Sequence, residues 1–320
     1  MKVILDTDIG NDIDDALALS YLLRQPECEL IGIVTSCGCA QTHAKIASAV
    51  CCAAGRKDVP IFAGTNDCII IEQKEKYVPH ATILDHWEHH EDYEPNQALD
   101  FIRKAVRKYP NEIVFLEIAP PSNLARLFLV DPEAAALLKG VVLMGGKFGE
   151  GNQKNWTQHD PAKRRTFSVF EPNQIDEILI GGALEPNACI DPYATAVAYQ
   201  VPLPLHRSVG VDCTSQVVMS SRDFNEVLSQ NNEDHLHRLL LEMGNMFLSE
   251  IPYVTFHDPL PTVTLFNDSV CKFTRGNVEV ELQSKRLLGY TYFEEDVNGK
   301  HEVASSVNPQ AFFKEFFSIV

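Results

Sequence analysis

The sequence predicts a single α/β domain over residues 1–320, with a mostly parallel, open central sheet of Rossmann-like type and flanking helices. Short apolar runs alternate along the chain with stretches whose apolar residues recur at helical spacing, which is typical of β-α-β units. Hydrophobic residues make up 45% of the chain and charged residues 22%, a balance that favours a globular protein. The sequence contains no internal repeat or linker that would indicate a second domain.

The first predicted strand is Val3–Leu5, and the helix Ile13–Arg24 follows it. The later predicted strands are short apolar runs: Leu30–Thr35, Pro60–Phe62, Ile113–Ile118, Val141–Met144 and His206–Val211. The later predicted helices have apolar residues at helical spacing: Ala44–Ala54, Gln97–Lys108, Ser122–Val130, two within Ser221–Phe247, and Pro309–Ile319. Val278–Leu282 and Gly289–Phe293 predict a small antiparallel β element. Right-handed crossovers place the carboxyl ends of parallel strands along one edge, where ligands bind.

Two long stretches, 64–95 and 147–184, interrupt this alternation and are predicted to be loops. Loops of that length inside a compact domain are usually functional or disordered. The first one holds four histidines that are candidates to contact a ligand: His80, His86, His89 and His90. For each of them a solvated loop residue is the simpler interpretation.

The formal net charge of −17 argues against a nucleic-acid-binding surface, because phosphate binding needs clustered basic side chains. It favours a neutral small-molecule substrate, or a cation held among carboxylates. No apolar run reaches the length of about 20 residues that spans a membrane, and the first strand begins too early to leave room for a signal peptide. The nine cysteines have no paired zinc-site spacing, which favours free thiols and a cytoplasmic location.

The strongest motif is a run of carboxylates where the first strand turns into the first helix: Asp6, Asp8, Asp12, Asp14 and Asp15. Carboxylates this crowded repel one another and raise one another's pKa, so the motif favours a bound cation. Favourable interaction with a helix N-terminus explains one or two of these acids but not five.

Two other known motifs compete for this run. An EF-hand loop that begins at Asp6 would need glycine and glutamate where the sequence has Asn11 and Leu17, so it is excluded. A phosphohydrolase of the haloacid-dehalogenase type would use Asp6 as the nucleophile and Asp8 as the acid and base. The lysine and the later acidic pair that such an enzyme needs are not apparent, but this alternative stays open.

The acidic run resembles the opening motif of the inosine–uridine-type nucleoside hydrolases, Asp-x-Asp-Pro-Gly-x-Asp-Asp-Ala. Ile9 stands in place of the proline, and two additional residues precede Asp14. Four further segments match family motifs in the family's order: Pro120–Asn123, Val141–Gly146, Glu185–Pro192 and His257–Leu260. The resemblance therefore covers most of the chain.

The resemblance implies a hydrolase that uses Ca²⁺ and a water molecule to cleave the N-glycosidic bond of a nucleoside. Asp8, Asp15 and Asp258 would be calcium ligands together with the backbone carbonyl of Ile118. Asp8 would also take the proton from the attacking water. Asp14 would contact that water and the ribose 2′-hydroxyl.

The other site residues implied by the resemblance bind the substrate. Glu185 and Asn187 would hold the 3′ and 5′ side of the ribose, and Asn152 would contact the 5′-hydroxyl. His257 would lie near the base as a general acid, with a pKa suited to neutral pH. Cys39 occupies the position of an asparagine in the family, so one amide contact to the ribose is expected to be missing.

The resemblance also implies a homodimer or homotetramer. One non-enzymatic alternative stays open, namely a nucleoside- or ribose-binding protein that keeps the cation and has lost turnover. The presence of Asp8 favours an enzyme, because a binding protein does not need a carboxylate that activates water.

Overall fold

A nine-stranded sheet forms the centre of the protein in a computed structural model that describes residues 1–148, 184–231 and 233–320. Its strands, with those of a separate two-stranded sheet, are numbered in chain order: β1 Lys2–Thr7, β2 Glu29–Thr35, β3 Ile61–Ala63, β4 Ile113–Glu117, β5 Gly140–Met144, β6 Leu205–Val209, β7 Val218–Ser220, β8 Tyr253–Thr255, β9 Cys271–Val280, β10 Thr291–Glu295 and β11 His301–Val307. The order across the large sheet is β10-β9-β11-β6-β5-β4-β1-β2-β3. Every pairing from β3 across to β11 is parallel.

Helices follow most of the parallel strands. In chain order they are α1 Asp14–Arg24, α2 Ala40–Ala53, α3 Ala98–Lys108, α4 Ser122–Val130, α5 Pro132–Ala135, α6 Pro186–Ile190, α7 Pro192–Gln200, α8 Val211–Thr214, α9 Ser221–Ser229, α10 His235–Leu248, α11 Pro259–Thr264 and α12 Pro309–Ile319, with 3₁₀ helices at Pro79–Asp85 and Asp268–Val270. None of the helices in the described ranges has the length and apolar character needed to cross a membrane.

Two apolar layers pack on the two faces of the sheet, and β1 contributes to both. Val3 and Leu5 belong to one layer, whereas Ile4 belongs to the other. Successive side chains of a strand point to opposite faces, so a central parallel strand covered on both sides must be apolar at every position. After Lys2 at its start, β1 is apolar from Val3 to Leu5, and polar residues return only at its carboxyl end, which places Asp6 and the acidic run at the edge of the sheet.

The predicted α/β fold with a mostly parallel sheet is confirmed, and the bounds of Ser122–Val130 and Pro309–Ile319 agree with the prediction. The predicted strand His206–Val211 ends earlier, at Val209, because Val211 already begins α8. The predicted antiparallel pair is present as β9 and β10, but it continues the large sheet. A separate antiparallel pair consists of β7 and β8.

The predicted loop 64–95 contains the 3₁₀ helix Pro79–Asp85, and His80 within it is fully buried, so this histidine is not a solvated loop residue. The backbone N–H of His80 donates to the carbonyl of Gly10, which fixes the 3₁₀ helix against the acidic run. The predicted loop 147–184 lies, apart from residues 147, 148 and 184, outside the described residues.

Candidate active site

The acidic run turns sharply between β1 and α1, and Gly10 makes that turn possible. Gly10 has a φ of +129°, and a side chain there would collide with Ile46 and Val78. The turn brings Asp14 and Asp15 to the first turn of α1, at the carboxyl edge of the sheet. The Thr7 hydroxyl donates a hydrogen bond to the Asp15 carboxylate and so ties the start of the helix to the end of the strand.

Asp258 reaches the same place from the opposite end of the chain. It precedes α11, and interaction with its backbone lowers the pKa of the Asp14 carboxyl, which places the two residues side by side. Oxygens of Asp14, Asp15 and Asp258 all lie within 4.8 Å of one another, and all three residues are buried. An all-oxygen set of this kind is what a hard cation such as Ca²⁺ or Mg²⁺ prefers, so these residues can hold a metal ion.

Electrostatics agree with a site built for a cation. Burial, followed by the Asp14 carboxylate, raises the pKa of Asp8 to about 7, and burial raises the pKa of Asp14 to about 6. Burial and the neighbouring carboxylates raise the pKa values of Asp12, Asp15 and Asp258 well above their usual range. Without a cation, carboxyl groups in this cluster retain protons at neutral pH, and a cation that binds them displaces those protons.

The predicted calcium ligands come together only in part. Asp8 lies close enough to Asp14, Asp15 and Asp258 to affect their pKa values or to be affected by them, but it is not in the group whose oxygens are mutually within 4.8 Å. Asp14, which was expected to contact water and ribose, is in that group. The role of each carboxylate as ligand or base stays a prediction.

Sequence reasoning missed two neighbours of Asp8, Cys37 and Glu75, and a third residue, Gln73, that contacts Cys37. The carboxylate of Glu75 raises the pKa of Asp8, whereas interaction with the Cys37 thiol lowers it. The Gln73 Nε2 lies 2.9 Å from the Cys37 sulfur. Cys37 precedes the turn at Gly38, and both residues have positive φ angles, of 67° and 69°. The consecutive Cys-Gly at a strand end was the available signal for such a turn.

The predicted ribose contacts Glu185 and Asn187 lie together at the start of α6. Glu185 is buried and accepts hydrogen bonds from the backbone N–H groups of Gly146, Asn187 and Ala188 at 2.8–2.9 Å. Burial nevertheless raises its pKa to about 7. Its side chain therefore caps the helix and holds the strand end after β5. Substrate contact by Glu185 stays a prediction.

Asn187 joins two strand ends. Its Nδ2 lies 3.1 Å from the carbonyl oxygen of Ile118 and 3.0 Å from that of Met144. The Ile118 carbonyl, the predicted backbone ligand, thus faces the predicted ribose-binding amide. Both hydrogen bonds to the strand ends use the side-chain nitrogen of Asn187, so they leave the acceptor capacity of its side-chain oxygen unused.

His257 adjoins Asp258 and is buried. Its Nδ1 lies 2.6 Å from the Thr214 hydroxyl, which fixes the plane of the ring. Burial lowers the pKa of His257 to about 4, so the expectation of a pKa near neutrality is not met. Moving a charged imidazolium from water into a buried site is unfavourable, so the neutral ring predominates at pH 7.

The remaining predicted residues are less central. Cys39 is half-buried, and its sulfur lies 3.7 Å from the carbonyl oxygen of Lys76, so it faces the 73–77 segment and not the apolar core. Asn152 lies outside the described residues. Among the loop histidines, His86 pairs with Glu242 at 2.7 Å, and His89 pairs with Glu91 at 3.0 Å.

The structure does not favour the phosphohydrolase alternative. That mechanism requires the Asp6 carboxylate to be accessible as a nucleophile, but Asp6 is fully buried. One of its oxygens, Oδ1, accepts a hydrogen bond from the Asn123 amide at 3.2 Å. All nine cysteines are free thiols, as the scattered spacing predicts.

Comparison with known proteins gives a consistent result. Uridine nucleosidase 1 of Arabidopsis thaliana is 26% identical to this chain over 312 residues, which cover 92% of this chain and 82% of that protein. The non-specific ribonucleoside hydrolase RihC of Salmonella newport is 25% identical to this chain over 308 residues, which cover 94% of this chain and 89% of that protein.

Solved structures share the fold. A plant nucleoside hydrolase superposes with a TM-score of 0.77 at 23% identity, covering 99% of this chain and 98% of that one. A purine-preferring ribonucleoside hydrolase from Gardnerella vaginalis gives a TM-score of 0.75 at 22% identity, and the superposition covers 99% of this chain and 97% of that one. The family model for inosine-uridine preferring nucleoside hydrolases matches residues 3–314. This chain therefore belongs to the inosine-uridine preferring nucleoside hydrolase family and is an enzyme of the nucleoside hydrolase class.

Proposed function

We propose that this enzyme uses Ca²⁺ at the Asp14–Asp15–Asp258 cluster to hydrolyse the N-glycosidic bond of a ribonucleoside, giving ribose and the free base. The observation that carries the proposal is the cluster itself: three buried carboxylates converge within 4.8 Å at the carboxyl edge of a parallel sheet. Ligands of open α/β sheets bind at that edge. Membership of the family supports nucleosides as the substrates.

Calcium fits the donor set better than a transition metal does. The cluster consists of carboxylates, and the backbone ligand that the resemblance implies is the Ile118 carbonyl, so all the candidate metal ligands are oxygen atoms. When bound, Ca²⁺ would supply positive charge that orients the ribose hydroxyls and acidifies water, and its flexible coordination number of six to eight leaves room for both.

The protein's own side chains would carry the other steps. Asp8, with a pKa raised to about 7, is suited to take a proton from the attacking water near neutral pH. Asn187 would present its amide oxygen to a ribose hydroxyl, because its nitrogen is held by Ile118 and Met144. His257 would position the base as a neutral ring held by Thr214.

A substrate panel tests this function. The full chain, loaded with Ca²⁺, is incubated with purine and pyrimidine ribonucleosides, their 2′-deoxy forms and nicotinamide riboside, and free base and reducing sugar are measured. We expect equal amounts of base and ribose from at least one ribonucleoside. Tight binding of nucleosides without release of base would favour the ribose-binding alternative. Release of phosphate from phosphomonoesters instead would favour the phosphohydrolase alternative.

A further inference from the structure

We propose that this enzyme takes ribonucleosides whose base carries a positive charge, and that Glu75 and Tyr77 select these substrates. The inference rests on the proposed nucleoside hydrolysis and adds a chemical class of substrate to it. Nucleosides of a pyridinium base and of an N-methylated cytosine are members of this class.

The segment 75–78 crosses the carboxyl edge of the sheet beside the acidic run. A side chain at Gly38 would collide with the backbone of Glu75, and a side chain at Gly10 would collide with Val78. Gly38 follows β2 and Gly10 follows β1, so the segment passes over the ends of two neighbouring parallel strands. Ligands of open α/β sheets bind at this edge, and the segment therefore adjoins the place where a substrate lies.

Glu75 brings a negative charge to this edge. Its carboxylate is near enough to raise the pKa values of both Asp8 and Cys37. Glu75 is half-buried, so water screens its charge only in part. Within the described ranges no lysine or arginine forms an ion pair with it, and the adjacent Lys74 and Lys76 are exposed. The charge of Glu75 is therefore available to a cationic ligand.

Tyr77 places an aromatic ring next to this carboxylate. Its backbone N–H lies 3.3 Å from Glu75 Oε1 and donates to it, and 62% of the residue is exposed. A flat organic cation is attracted both by the face of an aromatic ring and by a carboxylate. A neutral base would gain only the contact with the ring. Together the two residues therefore distinguish bases by their charge.

A positively charged base also suits the reaction. When the bond between C1′ and the base nitrogen breaks, its electron pair stays on that nitrogen and neutralises the positive charge. The base leaves as a neutral molecule and needs no proton. Water adds to C1′ and loses one proton, which Asp8 would accept and pass to solvent. The products are ribose, the neutral base and H⁺.

The test compares charged and neutral substrates in matched variants. The Ca²⁺-loaded full chain is assayed at pH 7 with 3-methylcytidine against cytidine, and with nicotinamide riboside against uridine. The measured quantity is the ratio of kcat/KM for the charged substrate to that for the neutral one. Charged nucleosides are intrinsically more labile, and Glu75→Gln also removes a charge beside Asp8. Lability is the same for every variant, and the effect on Asp8 is shared by both substrates, so both cancel when ratios are compared.

We expect Glu75→Gln to lower both ratios by about three- to thirtyfold, which spans an exposed and a half-buried charge pair. Glu72→Gln removes an exposed acid three residues earlier and is the control, which should keep the wild-type ratios. Tyr77→Leu should lower the ratios by about two- to fivefold, and Tyr77→Phe, which keeps the aromatic face, should not.

Salt dependence covers a Glu75→Gln variant that does not fold. Added salt screens charge pairs, so raising the ionic strength should lower the ratios in the wild type and in Glu72→Gln. Ratios that are the same in the wild type and a folded Glu75→Gln, or that do not respond to salt in the wild type, would overturn the proposal and leave nucleoside hydrolysis intact. A Glu75→Gln variant that only binds Ca²⁺ more weakly would overturn it too, since the carboxylate would then act on the metal site.

Failure of the proposed function is a separate outcome. If no nucleoside releases its base, hydrolysis is contradicted, and the selectivity is then measured from dissociation constants by calorimetry. The proposal predicts tighter binding of 3-methylcytidine than of cytidine by the wild type, and loss of that difference in Glu75→Gln. Equal dissociation constants for the two nucleosides in the wild type would overturn it.

Discussion

The Thr7 hydroxyl donates a hydrogen bond to the Asp15 carboxylate, so the last residue of β1 fixes a carboxylate at the start of α1. The same hydroxyl accepts a hydrogen bond from the backbone N–H of Ile9 at 3.2 Å. Asp8 lies between Thr7 and Ile9 in the chain, so the residues on both sides of it are held by these hydrogen bonds. The candidate base is therefore presented to the site by a rigid turn, which is how catalytic groups keep a productive geometry.

We expect Asp8→Asn to reduce kcat by more than 100-fold while the protein remains folded. The amide keeps the shape of the side chain but cannot take a proton, and a general base typically contributes about 10²–10⁴-fold. The assay is base release at saturating Ca²⁺, with circular dichroism as the check on folding. Asp100→Asn, an exposed aspartate of α3, is the matched control and should retain full activity. A folded Asp8→Asn enzyme with near-normal kcat would remove Asp8 from the role of base.

Calcium affinity should fall as the pH is lowered. Burial raises the pKa of Asp8 to about 7 and that of Asp14 to about 6, so both groups gain protons between pH 8 and 5 in the metal-free protein. A cation must displace those protons, and its apparent affinity decreases by up to about tenfold per pH unit for each proton displaced. Calorimetry in two buffers with different ionisation enthalpies should detect the released protons. An affinity that is constant from pH 8 to 5 would contradict these pKa shifts.

Cys37 should matter more than Cys39. Interaction with the Cys37 thiol lowers the pKa of Asp8, which is what a hydrogen-bond donor would do, whereas the Cys39 thiol contacts a backbone carbonyl of the 73–77 segment. Loss of one hydrogen bond costs about 0.5–1.5 kcal/mol, so Cys37→Ala should lower kcat/KM by about three- to tenfold, and Cys37→Ser should restore part of it. Cys39→Ala is the matched control for the loss of a thiol. A larger effect of Cys39→Ala, especially on the preference for ribo- over 2′-deoxynucleosides, would instead support the sequence-based assignment of Cys39 to the ribose.

His257 should position the base and not protonate it. With a pKa lowered to about 4 by burial, roughly one ring in a thousand is protonated at pH 7. His257→Ala should therefore slow the hydrolysis of uridine and of 4-nitrophenyl riboside by similar factors. The leaving group of the second substrate needs no proton, so a loss of acid catalysis would affect uridine alone. The kcat of the wild type for uridine should not rise as the pH falls from 7 to 5. A loss confined to uridine would restore the role of general acid.

The sequence predicted those parts of the fold and site that depend on local pattern. The bounds of α4 follow from Pro120 and Pro121, which stop the preceding strand from continuing, and from the apolar spacing after Ser122. The crowding of Asp8, Asp14 and Asp15 is visible directly, because two carboxylates start a helix that follows a buried strand. β7 and β8, of three residues each, are too short for an alternation to be detected.

The missed neighbours of Asp8 depend on long-range packing. Gln73 and Glu75 reach the site only because the 73–77 segment crosses over Gly38, where a side chain would collide with the Glu75 backbone. Spacing along the chain carries no information about that crossing. The pKa of His257 was likewise missed, since it follows from burial of the ring and not from the His-Asp-Pro motif.

Hydrolysis in water labelled with ¹⁸O tests the central claim most directly. The Ca²⁺-loaded wild-type enzyme is given the best ribonucleoside of the panel in H₂¹⁸O, and the sugar product is analysed by mass spectrometry. If the carboxylate site activates water, each free base is matched by one ribose that carries ¹⁸O at C1, and both products disappear when Ca²⁺ is chelated. Base release that requires inorganic phosphate and yields an unlabelled sugar phosphate, or release that is unchanged without Ca²⁺, would contradict the account.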